Sequence, residues 1–464
     1  MAEPTDMTGM AGLTARLVEH GQRLAALPLP DDAVRMACHS LLDWYAVAHA
    51  GWREPPVAML CDEVQAEGGH PRATLLDGTR VSAVQAALVN GTASHVLDFD
   101  DAHLESRVHP SVPLWPAILA QAEERGLSGG AALAAFVAGV EMQSNVASLM
   151  GEGHYARGWH NTATLGTLGA AAAVALLDGL DTPRTCHALS IAATRAGGMR
   201  ALFGTMCKPL HAGQAAAMGL QSARLAGRGF TGVEDIVERQ EGFAELYGDT
   251  ARFGAALDAA RGLRLGGIVF KYHASCYGTQ APIDAALLLR EQAPVRPRDI
   301  TRIEVTVEQQ YTGVCCIAEP RSVSEARFSI AHMVALVLAG RSTVDAASFA
   351  PAMRDDPEVA ALRARVVTRG SDAMPRAHAE VRLVRADGSS LARQVDASRP
   401  ERDLDRQEAR LRDKAMVLLA PRVGTARAQA VVERILGFQD EASVAVFMAT
   451  TPAASSAAAG GVAG

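Results

Sequence analysis

The stretch NGTASHVLDFDDAHLESRVHPSVPLWP, from Asn90 to Pro116, decides how this chain is read. It sets Asp98, Asp100, Asp101, His103, Glu105, Arg107 and His109 close together in a single loop. The apolar run Val81 to Val89 precedes the loop, and a second apolar run follows Pro110, Pro113 and Pro116. Both flanks are apolar enough to be buried. Buried charge is costly unless it is paired or used, so the loop is either functional or a paired structural element.

Outward from that loop, the first 260 or so residues read as helix. Apolar residues recur at three- and four-residue spacing over Leu13–Leu27 and Asp31–Ala48, and Asp31, just after Pro30, is placed to cap the second. The same spacing predicts helices over Ser82–Ser94, Pro116–Arg125, Gly130–Met150, Leu165–Leu177, Pro183–Thr194 and Ala212–Ala226. Ser128-Gly129-Gly130 marks a break between two of them. No period-two strand is expected in this half. After Phe270 the pattern changes: Arg302–Glu308 alternates, with Ile303, Val305 and Val307 on one face. Ala361–Thr368 is a second candidate strand, and Ile330–Leu338 is helical. Ala379–Val384 and Ser390–Val395 flank Asp387-Gly388 as a hairpin. Helical periodicity returns over Arg406–Ala420 and Ala426–Ile435. The expected fold is therefore mainly α. It has a large all-helical domain drawn from both chain ends (1–268 and 404–450) and a smaller inserted α+β domain (269–403). The tail 451–464 has too little to bury and is expected to be disordered.

Composition narrows the function classes. Hydrophobic residues make up 49% and aromatics only 5%, which favours closely packed helices with small residues at their crossings. A formal net charge of −7 without a basic stripe argues against a nucleic-acid partner. Seven cysteines without regular spacing point to a reducing compartment, and Cys315-Cys316 read as buried thiols. The opening MAEPTDMTGM lacks the features of a signal peptide, and runs such as Leu165–Leu177 are too short to span a bilayer. A cytoplasmic protein with no membrane association is the expectation.

Three further polar constellations lie outside the central loop. In GWHNTATLGTLGAAAAVALL, His160 precedes a Gly/Ala helix whose free N–H groups suit an anion; otherwise Asn161 or a threonine simply caps the helix. In GTMCKPLHAGQAAAMG, Lys208 sits among apolar neighbours with His211 following, and its bland reading is a snorkelling lysine. In FKYHASCYGTQAP, Lys271, His273, Ser275, Cys276 and Tyr277 fall where strands begin. No metal is expected: His103, His109 and Asp98 are the nearest to a ligand set, but HExxH and Cys/His pairs are missing. GxGxxG after a strand, GxxxxGK[ST] and GxSxG are missing too, so no cofactor is expected. Cys276 and His273 would point alike on an extended segment, not at each other. Histidines, lysines and acids without a cofactor motif suit general acid–base chemistry on an anionic molecule.

DFDD followed by HPS, then GWHNTATLGTLGAAAA, then GTMCKPLHAGQAAA with a later RGFTG, resemble the successive signatures of the MmgE/PrpD family. The resemblance runs in order from about Leu13 to Phe447. It implies a helical domain made from both chain ends, an α+β lid domain, and a homodimer. It implies a cofactor-independent lyase, a dehydratase or decarboxylase, acting on a di- or tricarboxylic acid of the methylcitrate or aconitate type. An epimerase of a substituted succinate such as iminodisuccinate is the alternative within the family, and a non-catalytic binding or scaffold homologue that kept the fold is the alternative from another function class. By motif position, Asp98, His109, His160 and Lys208 are the expected catalytic residues. Arg107, His103, Lys271, His273 and Tyr277 are the expected substrate-binding residues. Two positions depart from the family pattern: Ala102 stands where Thr is common, and Gln280 where many members place His.

Overall fold

A computed structural model describes residues 12–26, 28–248, 262–292 and 296–450. The opening MAEPTDMTGM, Leu27 and the tail 451–464 lie outside the described residues. Two compact units divide the chain: one comprises residues 1–96, 100–268 and 402–464, the other Leu97–Phe99 and Val269–Glu401.

The first unit is built from α1 (Leu13–Ala26), α2 (Asp31–Gly51), α3 (Pro55–Glu67), α4 (Ala83–His95), α5 (Ser111–Arg125), α6 (Gly129–Ala156), α7 (Asn161–Leu177), α8 (Thr182–Ala193) and α9 (Cys207–Gly227), joined by Leu404–Val423 and Thr425–Leu436. Local chemistry explains several starts. Ser82 and Gln85 form a reciprocal capping box on α4, Ser128 accepts from Ala131 N–H at α6, and Asp181 accepts from Arg184 N–H at α8. Small residues bring α4, α7 and α9 close. A Cβ built on Gly91 of α4 would lie 2.7 Å from Gly213 Cα of α9, and one on Gly219 would lie 2.5 Å from Ala170 Cβ of α7. A larger side chain at either position would force these helices apart. This is the packing that an Ala/Gly-rich, aromatic-poor composition foreshadows, and the fold is mainly α. Leu404–Val423 packs on α2 through a buried Lys414–Asp43 ion pair at 2.6 Å.

The second unit holds a four-stranded sheet. Val366–Ser371 pairs parallel with Ile300–Glu308, which pairs antiparallel with His378–Arg385, which pairs antiparallel with Ser390–Asp396. Ile303, Val305 and Val307 are all fully buried, so the alternation read from sequence faces a core. The helices Tyr277–Gln292 and Ile330–Leu338 lie in the same unit.

Several boundaries differ from the sequence expectation. Pro30, not Asp31, is the N-cap of α2, and no side chain caps it. Helix α5 starts at Ser111, five residues early; Pro113 falls in the first turn, where its missing N–H has no intrahelical partner to lose. Helix α9 starts at Cys207, so Lys208 and His211 share its first turns. The candidate strand Ala361–Thr368 is split. Asp356 caps a helix over Pro357–Arg363, and the strand begins only at Val366. The helical half also contains short strands: Ala73–Thr74 pairs with Arg80–Val81, and Ala102–His103 is a further two-residue strand. Among the described residues, no helix is long and apolar enough to cross a membrane.

Candidate active site

Four imidazoles of the first unit line up in space from distant parts of the chain. His95 ends α4, His109 sits just before α5, His160 is the N-cap residue of α7, and His211 lies in the second turn of α9. Ring centroids are 4.9 Å apart for His109 and His95, 5.9 Å for His95 and His160, and 5.3 Å for His160 and His211. His160 Nδ1 and His211 Nδ1 are 3.1 Å apart, so one of them donates and the other accepts. His160 is only 2% exposed, whereas the His109 side chain is 19% exposed and forms the open end of the row. Phe203 stands edge-on to His160 at 4.9 Å, and Lys208 Nζ lies 5.4 Å from the Phe203 ring.

One carboxylate organises the open end. Asp100 is fully buried, and His95 Nδ1 lies 3.0 and 3.1 Å from its two oxygens. His109 Nδ1 is 2.8 Å from Asp100 Oδ2 and 2.7 Å from the Asp101 carbonyl oxygen. Those oxygens only accept, so both Nδ1 atoms must carry the proton, and a neutral ring at either place has its lone pair on Nε2. Burial pushes the Asp100 carboxyl up, but attraction to His95 and His109 and their hydrogen bonds outweigh it and hold it well below the usual range. Burial pushes His95 down to about 4 although Asp100 opposes the shift. Burial, then His95 and Lys208, hold His160 well below its ordinary value, and burial with Lys208 lowers His211. Around neutral pH these three rings are uncharged.

The adjacent acid does different work. Asp101 accepts from Ser40 Oγ at 2.9 Å, Ser111 Oγ at 2.6 Å and Ser111 N–H at 3.2 Å, which ties α2 to the start of α5. Burial and the nearby Asp43 push its carboxyl up to about 7. Thr162 Oγ1 accepts from His109 N–H, and Asn161 Nδ2 donates to the Ser106 carbonyl, fastening the acidic loop to the start of α7.

Of the residues expected from sequence, His109 and His160 belong to this histidine row, and Lys208 lies beside Phe203, which packs on His160. His103 is buried elsewhere: its Nδ1 meets Ser106 Oγ at 2.6 Å and its Nε2 meets the Arg264 carbonyl at 3.1 Å. Arg107, at φ +53°, pairs with Glu152 and stacks 4.9 Å over the Tyr155 ring. The other four lie in the second unit. Lys271, 1% exposed, donates to Asp98 Oδ1 at 2.8 Å and to the Asp98 carbonyl at 2.6 Å. His273 bonds Thr343 Oγ1 at 2.7 Å and Asp284 Oδ1 at 3.1 Å, and Tyr277 donates to the Ala397 carbonyl. Gln280 Oε1 accepts from His273 N–H, and its amide donates to the His273 and Ser275 carbonyls, so it holds the turn together.

Sequence reasoning left out His95, His211 and Asp100 as site residues. His95, Asp100 and His109 each offer one donor atom within 4.8 Å of the others, a set that suits a divalent cation in kind. Their Nδ1–carboxylate spacings are nevertheless those of hydrogen bonds.

Comparison with known proteins matches residues 15–256 to the MmgE/PrpD N-terminal domain and residues 273–437 to the MmgE/PrpD C-terminal domain. The chain is 30% identical over 336 residues to the cis-aconitate decarboxylase-like protein oryM of Aspergillus oryzae, covering 66% of this chain and 68% of that one. It is 31% identical over 307 residues to cis-aconitate decarboxylase of Homo sapiens, covering 62% and 61%. With cis-aconitate decarboxylase of Aspergillus terreus the identity is 28% over 254 residues, covering 53% and 52%.

Proposed function

Since the chain belongs to the MmgE/PrpD family, we propose that it is a lyase that removes water or CO₂ from a small di- or tricarboxylic acid of the methylcitrate or aconitate type, without a cofactor. The decarboxylase names of its relatives support a lyase, and one observation supports the chemistry: a single carboxylate, Asp100, presents two imidazoles in the same tautomer within a row of four.

Elimination of water and loss of CO₂ both build negative charge on carbon beside a carboxylate. The demand on the protein is therefore a cation near the carboxylates and a proton carrier at the reacting carbon. Lys208 supplies the cation. His109, fixed with Nδ1 protonated and Nε2 open, supplies the exposed base, and His160 is the second proton carrier. Burial and Lys208 hold His160 and His211 neutral, so a polycarboxylate entering the row reverses the local field. Its negative charges raise the proton affinity of His160 and His211 and bring them toward donating range.

Lys208→Met tests the cation. It keeps most of the stem and removes the charge, so kcat/KM is expected to fall about ten- to a hundredfold, the usual loss for a charge-assisted contact. An unchanged kcat/KM would take Lys208 out of the site.

The functional unit is proposed to be a homodimer. Met199, Phe203 and Met206, large apolar side chains on the segment before α9, are 54%, 36% and 51% exposed. Light scattering is expected to give about twice the chain mass, and a fully active monomer at micromolar concentration would contradict it.

A further inference from the structure

His95 has no role in the chemistry above beyond sharing Asp100, yet its geometry asks for a partner. The ring is buried in the histidine row, with Nδ1 committed to Asp100. Its Nε2 is also buried and has no hydrogen-bond partner among the described residues. A buried acceptor left unpaired is costly, and in a binding site it is an acceptor kept for the ligand. Both His95 and His109 turn Nδ1 toward the same carboxylate, so their Nε2 atoms lie on the edges facing away from it.

We propose that His95 is a further substrate-binding residue, whose Nε2 accepts a hydrogen bond from a hydroxyl group of the substrate. The inference rests on the reading of this cluster as a polycarboxylate site. At neutral pH the carboxylates of such a ligand are ionised and offer only acceptors, which the lone pair of Nε2 opposes. Its C–H groups would leave Nε2 unpaired. A hydroxyl is the donor such a molecule carries, so His95 makes the site prefer a hydroxylated polycarboxylate over the same skeleton without the hydroxyl.

Citrate and propane-1,2,3-tricarboxylate differ by that single hydroxyl. Calorimetric titration of the wild-type protein is expected to show citrate bound about ten- to a hundredfold more tightly, the usual discrimination when a buried polar group would be left unpaired. In His95→Phe the preference should shrink to less than about threefold, while Lys208→Met should weaken both ligands alike. Equal wild-type affinities, as a water molecule satisfying Nε2 would produce, overturn the role of His95 while leaving the carboxylate site standing. A preference that survives in folded His95→Phe overturns it as well. Failure of the wild-type protein to bind either ligand overturns both readings. The wild-type comparison decides even if melting curves show that the Phe variant does not fold.

Discussion

Asp100→Asn is expected to lower kcat about a hundredfold or more while the protein still folds. The carboxylate is the one side chain that both Nδ1 atoms meet; it fixes the Nδ1–H tautomer of His95, while His109 Nδ1–H also reaches the Asp101 carbonyl. An amide of the same shape puts an N–H donor where one carboxylate oxygen stood, so it opposes one of the two Nδ1–H groups and favours the other tautomer of that ring. The charge that would stabilise an imidazolium during proton transfer disappears as well. Losses of several orders of magnitude follow from this substitution in other carboxylate–histidine systems, and about a hundredfold is the lower bound here. The melting temperature should fall, because the amide loses the attractions that outweigh burial of the charge, so kcat is compared per folded molecule. Asp101→Asn is the internal control. Its side chain holds Ser40 and Ser111, not an imidazole, so it should lower the melting temperature and leave kcat of folded protein nearly intact. A folded Asp100→Asn enzyme with kcat within about threefold of wild type would refute the shared-carboxylate account.

His160→Gln carries the second large effect, again about a hundredfold or more in kcat. Glutamine keeps hydrogen-bonding capacity toward His211 but cannot take up and release a proton near neutral pH. The ring is buried between His95, His211 and Phe203, so a purely packing role is the competing account. That account predicts a lower melting temperature with turnover per folded molecule preserved. Melting curves recorded beside single-turnover rates separate the two, and preserved turnover removes His160 from the chemistry.

Much of the helical framework was legible because its signals are local. Capping residues such as Ser82 and Asp181 stand next to the apolar periods they start, and the alternation of Ile303, Val305 and Val307 maps directly onto a buried strand face. The site was legible only in part. His109, His160 and Lys208 stood out as polar residues in apolar surroundings. His95 did not, because it ends a helix whose pattern it continues, and it reaches Asp100 only through the turn that follows. His211 was passed over because α9 was expected to begin one residue after it, which hid its place in the same first turns as Lys208. The two outer acids of DFD looked equivalent. Asp98, however, adopts φ +51°, outside the extended region in which i and i+2 side chains share a face. Asp98 pairs with Lys271, whereas Asp100 pairs with His95 and His109. A backbone sign change of this kind has no signature in composition or period.

The most direct test of the central claim is NMR in D₂O of the protein, untreated and after exhaustive EDTA treatment, incubated with citrate, 2-methylcitrate, cis-aconitate and iminodisuccinate. The account predicts net loss of water or CO₂ from a di- or tricarboxylate, at the same rate before and after EDTA. Deuterium exchange without net loss would instead mark an epimerase, silence across the panel would mark a binding or scaffold protein, and turnover abolished by EDTA and restored by a metal would contradict the cofactor-independent mechanism.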